Sequence, residues 1–428
     1  MSSASKTKTS AQPGVYQLDC SATVYPFLAT KKVSQIFRMA LELDANIDTN
    51  ILRRIVKKMP QRFPTIFVTL KCDKDTYRLE TMSDPETVIC PEPEVYCRPF
   101  SMKDGCNLLR VTYKNNRLGI EMFHSLSDGS GGMVLLKTLA AAYYREIGEN
   151  IPCEFGVCGC SDRASEAETQ DSFRACYNPD IEDVSRAAKH AMQYCAKGPF
   201  APWHQTEIRI PVDQLKAVTH AKNATITEYA ASLYLDILRN TPDAKQSRKP
   251  VALSVPVNLR PIFNSATLRN FSLYFIATVP QEKAQPTFDD ILNNVRRQLK
   301  EGTDPQLLKR MIHQNVSQAD MALFVRSPRI VKKAILRTGA ALYGEGLYTS
   351  TFSNLGIFKL PEALAKHVLD FHAMLGESPV NHIKILSYCY NGNVSLTFSS
   401  RLVSHDLEDA MCERLKSEGL QFSIIKRP

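Results

Sequence analysis

Phe123-His124-Ser125-Leu126-Ser127-Asp128-Gly129 is the stretch on which the reading of this 428-residue chain turns. Ahead of it runs Arg117-Leu-Gly-Ile-Glu-Met-Phe123, a strand, and behind it Met133-Val-Leu-Leu-Lys-Thr-Leu-Ala-Ala-Ala-Tyr143, a helix. Side chains alternate across a strand, so Leu118, Ile120 and Met122 share one face and His124 shares their parity. A polar imidazole therefore leaves the strand on its apolar side, just before the chain turns. Two readings stay open at this point: a hydrogen-bonded core histidine, or a catalytic group kept out of bulk water.

The composition, 44% hydrophobic and 23% charged, is that of an ordinary globular protein, long enough for two domains or one two-lobed body. No apolar run reaches the length of a membrane span. Residues 1–14 are Ser/Thr/Lys-rich and predict a disordered tail without the apolar core of a secretory signal, which makes a cytoplasmic protein the expectation. Most of the twelve cysteines are isolated, and Cys153-x4-Cys158-x-Cys160 lacks the paired short spacings of a zinc site, so reduced thiols and no metal are expected. A formal charge of +9 comes without a basic stripe interleaved with aromatics, which gives no support to a nucleic-acid partner; the field suits an anionic cofactor equally.

Along the chain, Val33–Leu43 is strand-like, and Asp48 is placed to cap a helix through Leu52, Ile55, Val56 and Met59. Thr65–Cys72 reads as a strand, and Leu108–Tyr113 with Arg117–Phe123 as a hairpin around Lys114-Asn-Asn116. Periodicity weakens between about Gly148 and His204, with a short helix near Ser185–Ala196. The pattern restarts with a strand at Thr206–Pro211, a helix from Val212, and a helix to Leu238 capped by Thr225 or Thr227. Strands follow at Val251–Val257 and Phe271–Val279, then helices at Phe288–Leu299 and across Asp304–Arg337. A strand at Tyr348–Phe352, a hairpin Ile383–Tyr390/Val394–Leu402 around Asn391-Gly-Asn393, and a helix Asp406–Ser417 end the chain.

The spacing His-x-x-x-Asp-Gly at 124–129, between a strand and a helix, resembles the signature of one acyltransferase superfamily. Its members include chloramphenicol acetyltransferase, the BAHD plant acyl-CoA acyltransferases, polyketide-associated acyltransferases and peptide-synthetase condensation domains. The usual form has two histidines; Phe123 stands in place of the first, while the second carries the family's chemistry. Val255-Pro-Val-Asn-Leu-Arg260 is similar to the family's strand ending in an arginine, and Arg269-Asn-Phe271 before a strand is similar too. Ser353-Asn354-Leu355-Gly356 after a strand resembles the alcohol acetyltransferase branch, and the plant branch's Asp-Phe-Gly-Trp-Gly has no counterpart. The resemblance spans roughly Val15 to Ile425. It implies an α/β (α+β) fold of two chloramphenicol-acetyltransferase-like lobes, with mixed sheets flanked by helices and an interlobe tunnel. The expected division is a tail at 1–14, an N-terminal lobe at 15–150, a connection at 151–204 and a C-terminal lobe at 205–428.

Moving an acyl group from a thioester to a hydroxyl or amine requires a base, a stabilised oxyanion and exclusion of water. A neutral imidazole suits the first task, and His124 is the candidate general base. The resemblance implies that Asp128 points away from the tunnel and pairs with Arg260, tying the lobes by a charge-assisted contact. Gly129 is expected to supply a backbone conformation closed to other residues. Gly131-Gly132 could form an anion nest, but the spacing matches no phosphate-loop motif and a turn is preferred. Ser353 and Asn354 are candidate oxyanion or tunnel groups. Arg326, Arg329, Lys333 and Arg337 are expected on one helical face, either drawing in coenzyme A phosphates or simply solvated. No serine sits in Gly-x-Ser-x-Gly, so a covalent acyl-serine has no support. The expected co-substrates are an acyl-CoA and a small-molecule acyl acceptor. An acyl carrier protein is the alternative donor, and a non-catalytic binder keeping the fold is the other rival.

Overall fold

The computed structural model describes residues 14–30, 33–184, 189–194, 199–281, 286–321, 325–378 and 380–427. The expected tail lies outside these residues apart from Gly14. So does much of the helix expected near Ser185–Ala196, of which residues 189–194 run without helical structure.

The strand that leads to His124 lies at the centre of a five-stranded sheet. Its order is β13 (Val368–Leu375), β2 (Ile36–Leu43), β8 (Arg117–Phe123), β7 (Leu109–Lys114) and β5 (Ile89–Pro91). Only β5 and β7 run parallel. β7 and β8 form the expected hairpin, with Asn115 in the left-handed region at φ 51°, which asparagine tolerates better than most residues. Both faces of β8 are buried, so its alternation separates two interiors. Phe123 is fully buried in the core, edge-on to Phe100, while His124 turns to the other side.

The second half of the chain builds a mixed seven-stranded sheet. Its order is β11 (Ser272–Val279), β10 (Val251–Asn258), β12 (Ser350–Ile357), β14 (Ile383–Tyr390), β15 (Asn393–Leu402), β9 (Phe200–Pro211) and β16 (Ser423–Arg427). β12 runs parallel to β10 and β14, and the other neighbours are antiparallel. An antiparallel four-stranded sheet joins β1 (Val15–Gln17), β4 (Tyr77–Thr81), β3 (Val68–Cys72) and β6 (Cys106–Asn107). Strand alternation splits β14 between two cores: Ile383 and Ile385 join the second-half core, Leu386 and Tyr388 the first-half core.

The longer helices are α1 (Thr49–Arg62), α2 (Gly129–Glu146), α3 (Val212–Ala221), α4 (Ile226–Arg239), α5 (Phe288–Gly302), α6 (Pro305–Ala319), α7 (Arg329–Tyr343) and α8 (Asp406–Ser417). Asp48 caps α1 by accepting from the Asn50 N–H, and Thr225, not Thr227, caps α4 in a capping box with Glu228. No helix among the described residues is long and apolar enough to cross a membrane. The cysteines among them carry free thiols.

Three expectations need correction. Ser353–Gly356 does not follow a strand; it is the end of β12, where the pairing with β14 shifts register between Asn354 and Ile357. Asn354 Oδ1 accepts from the Gly356 N–H at 2.8 Å, and Gly356 takes φ +73°, so the asparagine makes the bulge. The helical stretch across Asp304–Arg337 is broken: Ser327-Pro328 separates Arg326 from α7, so the four basic residues do not share one face. Arg329 lies over the Tyr77 ring at 4.9 Å, and Arg337 Nε donates to the Phe27 carbonyl at 3.4 Å, so two of the cations pack on the first half of the chain. Third, Gly129 has no left-handed backbone, and the glycine of this turn that close packing demands is Gly131.

Candidate active site

Where β8 ends, the His124 N–H donates to the Gln35 carbonyl at 2.9 Å, and Gln35 itself is held at φ +49°. A non-glycine residue in that region costs roughly 1–2 kcal/mol. The surrounding contacts maintain it, and the ring is thereby aimed away from the strand. Tyr25 stacks on the imidazole (centroids 4.8 Å, 28° between planes), and Phe37 meets it edge-on at 5.5 Å. His124 keeps some solvent-accessible surface within this aromatic surround.

The ring's orientation is fixed by a residue 146 positions away. His124 Nδ1 lies 3.0 Å from Asn270 Oδ1. The other end of that amide faces acceptors only: Nδ2 donates to the His124 carbonyl at 2.8 Å and to Asp19 Oδ2 at 3.3 Å. Asn270 Oδ1 must therefore face the ring, Nδ1 carries the hydrogen, and Nε2 keeps its lone pair. Behind Asn270 stands Asp19, fully buried, which also accepts from the Ala22 N–H at 2.7 Å. Burial pushes the Asp19 carboxyl up to about 6, against the lowering effect of Arg269. His124 itself is lowered from the usual imidazole value, chiefly by burial; the Asp128 charge and the Asn270 bond oppose this, and the nearby Lys384 ammonium adds to it. Burial thus favours the neutral form of the ring. A hydrogen-bonded Nδ1 is the core-histidine reading too, but that reading leaves Nε2 without a role.

Asp128 is extended and N-caps α2, its Oδ1 accepting from Ser130 N (3.1 Å) and Gly131 N (3.3 Å). Its other oxygen reaches the second half of the chain, taking Arg260 Nη1 at 2.8 Å and the Phe271 N–H at 2.9 Å. Arg260 also donates through Nε to the Thr267 carbonyl (2.7 Å) and through Nη2 to the Arg269 carbonyl (2.6 Å), so it gathers the loop that presents Asn270. The pair is mostly buried, and its lone pairs are well used.

Glycine is needed here for close approach. A Cβ on Gly131 would come within 2.0 Å of Ser127 Oγ and 2.4 Å of the Leu268 carbonyl. On Gly129 it would meet the ends of two flexible side chains, Leu355 at 2.7 Å and Met39 at 3.6 Å. Gly131 and Gly132 belong to the first turn of α2, and the Gly131 N–H is spent on Asp128. Leu355 brings the bulged end of β12 beside the turn. Asn354 is exposed and donates to Thr227 Oγ1 at 2.7 Å, while Ser353 is half-buried on the face of β12 paired with Leu386. A small cavity of about 40 Å³ lies elsewhere, bordered by Arg209, Asp370, Tyr388 and Tyr390, and includes none of these residues.

Asn270, Asp19 and Tyr25 are the site residues that the sequence did not single out. Asn270 sits within the noted Arg269-Asn-Phe271, but nothing local links it to His124. Asp19 sits in a short polar segment with no periodic signal.

No protein-family model matches the chain, and no curated protein matches it. Solved structures do. The chain is similar to polyketide synthase associated protein 5 from Mycobacterium tuberculosis, at 16% identity over 95% of this chain and 98% of that one, with a TM-score of 0.61. It is similar to TRI101 of F. graminearum, solved with coenzyme A and deoxynivalenol, at 12% identity over 95% and 99% with a TM-score of 0.62. A third similarity, at 14% identity and a TM-score of 0.55, is to the nonribosomal peptide synthetase FmoA3, covering 95% of this chain but 42% of that one. With its strand–turn–helix at His124 and the Asp128–Arg260 contact between its halves, the chain has the two-lobed α/β fold of these solved structures.

Proposed function

We propose that the protein is an acyltransferase that moves an acyl group, acetyl being the simplest, from coenzyme A to an alcohol or amine, with His124 as general base. The observation that carries this reading is the Asp19–Asn270–His124 arrangement, which commits Nδ1 and leaves Nε2 free in a solvent-reachable, aromatic-lined position. Nε2 would take the proton of the acceptor hydroxyl or amine as that atom attacks the thioester carbonyl. The collapse of the tetrahedral intermediate would then expel the thiolate of coenzyme A, which takes the proton back from the imidazolium. Tyr25 and Phe37 hold the ring and limit water around it; Ser353 is the group on β12 available to meet the oxyanion. Substrates would enter by a passage between the two halves, which the Asp128–Arg260 contact ties together. The neighbour solved with coenzyme A and deoxynivalenol supports this donor and a small-molecule acceptor.

A second donor is favoured by the likeness to a nonribosomal peptide synthetase and a polyketide-synthase-associated protein: an acyl group carried on the phosphopantetheine of an acyl carrier protein. Thiol release from acetyl-CoA against pooled alcohols and amines, run beside acyl-carrier-protein donors, tests the reading. Transfer from either donor that disappears in His124→Ala is the expected outcome. Absence of transfer from both, or full activity of His124→Ala, overturns it.

A further inference from the structure

A surface helix ordinarily turns its apolar side chains inward and its charges outward. α1 does so, exposing Arg53, Arg54, Lys57 and Lys58. α7 does the reverse. With successive residues 100° apart, its outward positions are Ile330, Val331, Ala334, Ile335 and Thr338, an arc of about 140° without a charge. Ile330 is 84% exposed, Ile335 44% and Val331 43%, and Met321 and Val325 just ahead of the helix are exposed too. The orientation is set by contacts on the inner side. Lys332 Nζ donates to the carbonyls of Asp75 (2.7 Å) and Val325 (3.0 Å), and Leu336 packs on the first-half core. A contiguous exposed apolar face held in this way marks an interaction surface.

We propose that α7 is a peripheral membrane-binding helix that lies along an anionic lipid surface, with Ile330, Val331 and Ile335 among the acyl chains. The charge around the arc selects this occupant. Lys333 and Arg337 are exposed along one edge of it, and Arg326 is exposed beside Val325. Between Asp320 and Glu345 the sequence has five basic residues and no acidic one, so nothing within the segment offsets their charge. An apolar stripe flanked by cations is the pattern that sits at the boundary between headgroups and acyl chains. A second copy of the chain would set five like charges against five, and free phosphate groups would leave the apolar arc uncovered. The fifteen residues of α7 rise about 22 Å, short of the roughly 30 Å of a bilayer core, so the helix lies on the membrane and does not span it. Its inner side leans, through Arg337 and the Phe27 carbonyl, on the short helix Tyr25–Leu28, whose Tyr25 stacks on His124. Membrane binding goes beyond the acyl-transfer reading and does not depend on it.

The test is co-sedimentation of the full-length protein with phosphatidylcholine vesicles containing phosphatidylglycerol, beside vesicles of phosphatidylcholine alone. Binding to the anionic vesicles should be at least about tenfold stronger and should weaken as salt is raised. It should fall by about tenfold or more in Ile330→Ser/Ile335→Ser, and by about threefold or more in Arg326→Gln/Lys333→Gln. The four side chains point outward, so both double variants should melt at the temperature of the parent. Equal recovery of the parent with the two vesicle types overturns the proposal, as does anionic-vesicle binding that Ile330→Ser/Ile335→Ser retains. So does a lipid-free dimer of the parent, seen by sedimentation velocity, that the same variant abolishes; the arc would then belong to a second copy.

Discussion

His124 works, or fails to, according to which of its nitrogens carries the hydrogen, and Asn270 decides that. His124→Ala should lower kcat by about 10²–10⁴ while leaving the melting temperature close to that of the parent, measured by thiol release and thermal denaturation. Asn270→Ala should leave the imidazole in place but free to adopt the other tautomer. We expect kcat to drop by roughly tenfold or more with little change in the KM for acyl-CoA. Burial lowers the His124 pKa, so the acid limb of kcat/KM should lie below 6.5, and removing the positive charge in Lys384→Met should move that limb to higher pH. The same depression affects stability: the unfolded ring takes up a proton near 6.5 that the folded ring resists, so this contribution is present above 6.5 and is lost as pH falls below it. The sequence showed His124 because parity and the His-x-x-x-Asp-Gly spacing are local. It could not show Asn270 or Asp19, which reach the ring only through chain folding across more than a hundred residues.

At the level of elements, the turn between β8 and α2 is held by one carboxylate with two tasks. Asp128→Ala removes the α2 cap and leaves the Arg260 guanidinium without its partner, and the combined loss should be about 3–5 kcal/mol in denaturant unfolding. An unchanged unfolding midpoint would show that the tie between the halves carries no weight. The two neighbouring glycines should differ. In Gly131→Ala the new methyl meets the Leu268 carbonyl, a backbone atom that cannot yield, and about 1–3 kcal/mol should be lost. Gly129→Ala meets the flexible ends of Leu355 and Met39 and should cost less; the opposite ranking in thermal melts would contradict this packing. Hairpins, caps and amphipathic helices were readable because turn chemistry and periodicity are local properties. β13 was not readable: Asp370 and His372 sit among the core residues Phe371, Ala373 and Met374, because they answer to Arg209, Arg427 and Glu42 on other strands. The bulge at Asn354 was missed for the related reason that a strand's last residues carry no marker of register.

Across the whole molecule, the two halves are joined by more than the Asp128–Arg260 contact. Glu207, fully buried in β9, takes Arg209, Arg427 and the hydroxyls of Tyr388 and Ser395, and Arg209 and Arg427 go on to Asp370 of β13. Trp203 Nε1 donates to the Leu375 carbonyl at 2.8 Å, at the other end of the same strand. β13 pairs with β2 over Phe37–Leu43, so a second-half strand completes the first-half sheet. A chain cut after residue 360 should therefore fail to fold cooperatively, aggregating or giving rapid proteolysis where the full-length protein resists it. A compact, protease-resistant 1–360 fragment would refute the dependence.

The same exchange of a strand bears on how the protein comes off the ribosome. The partner of β2 is synthesised about 325 residues after β2 itself, tens of seconds later at roughly 5–20 residues per second. Throughout that interval the nascent chain exposes an unpaired, hydrophobic strand edge, the kind that invites wrong neighbours. Chaperone supply during translation, more than the equilibrium stability of the finished molecule, should therefore set the yield of active protein.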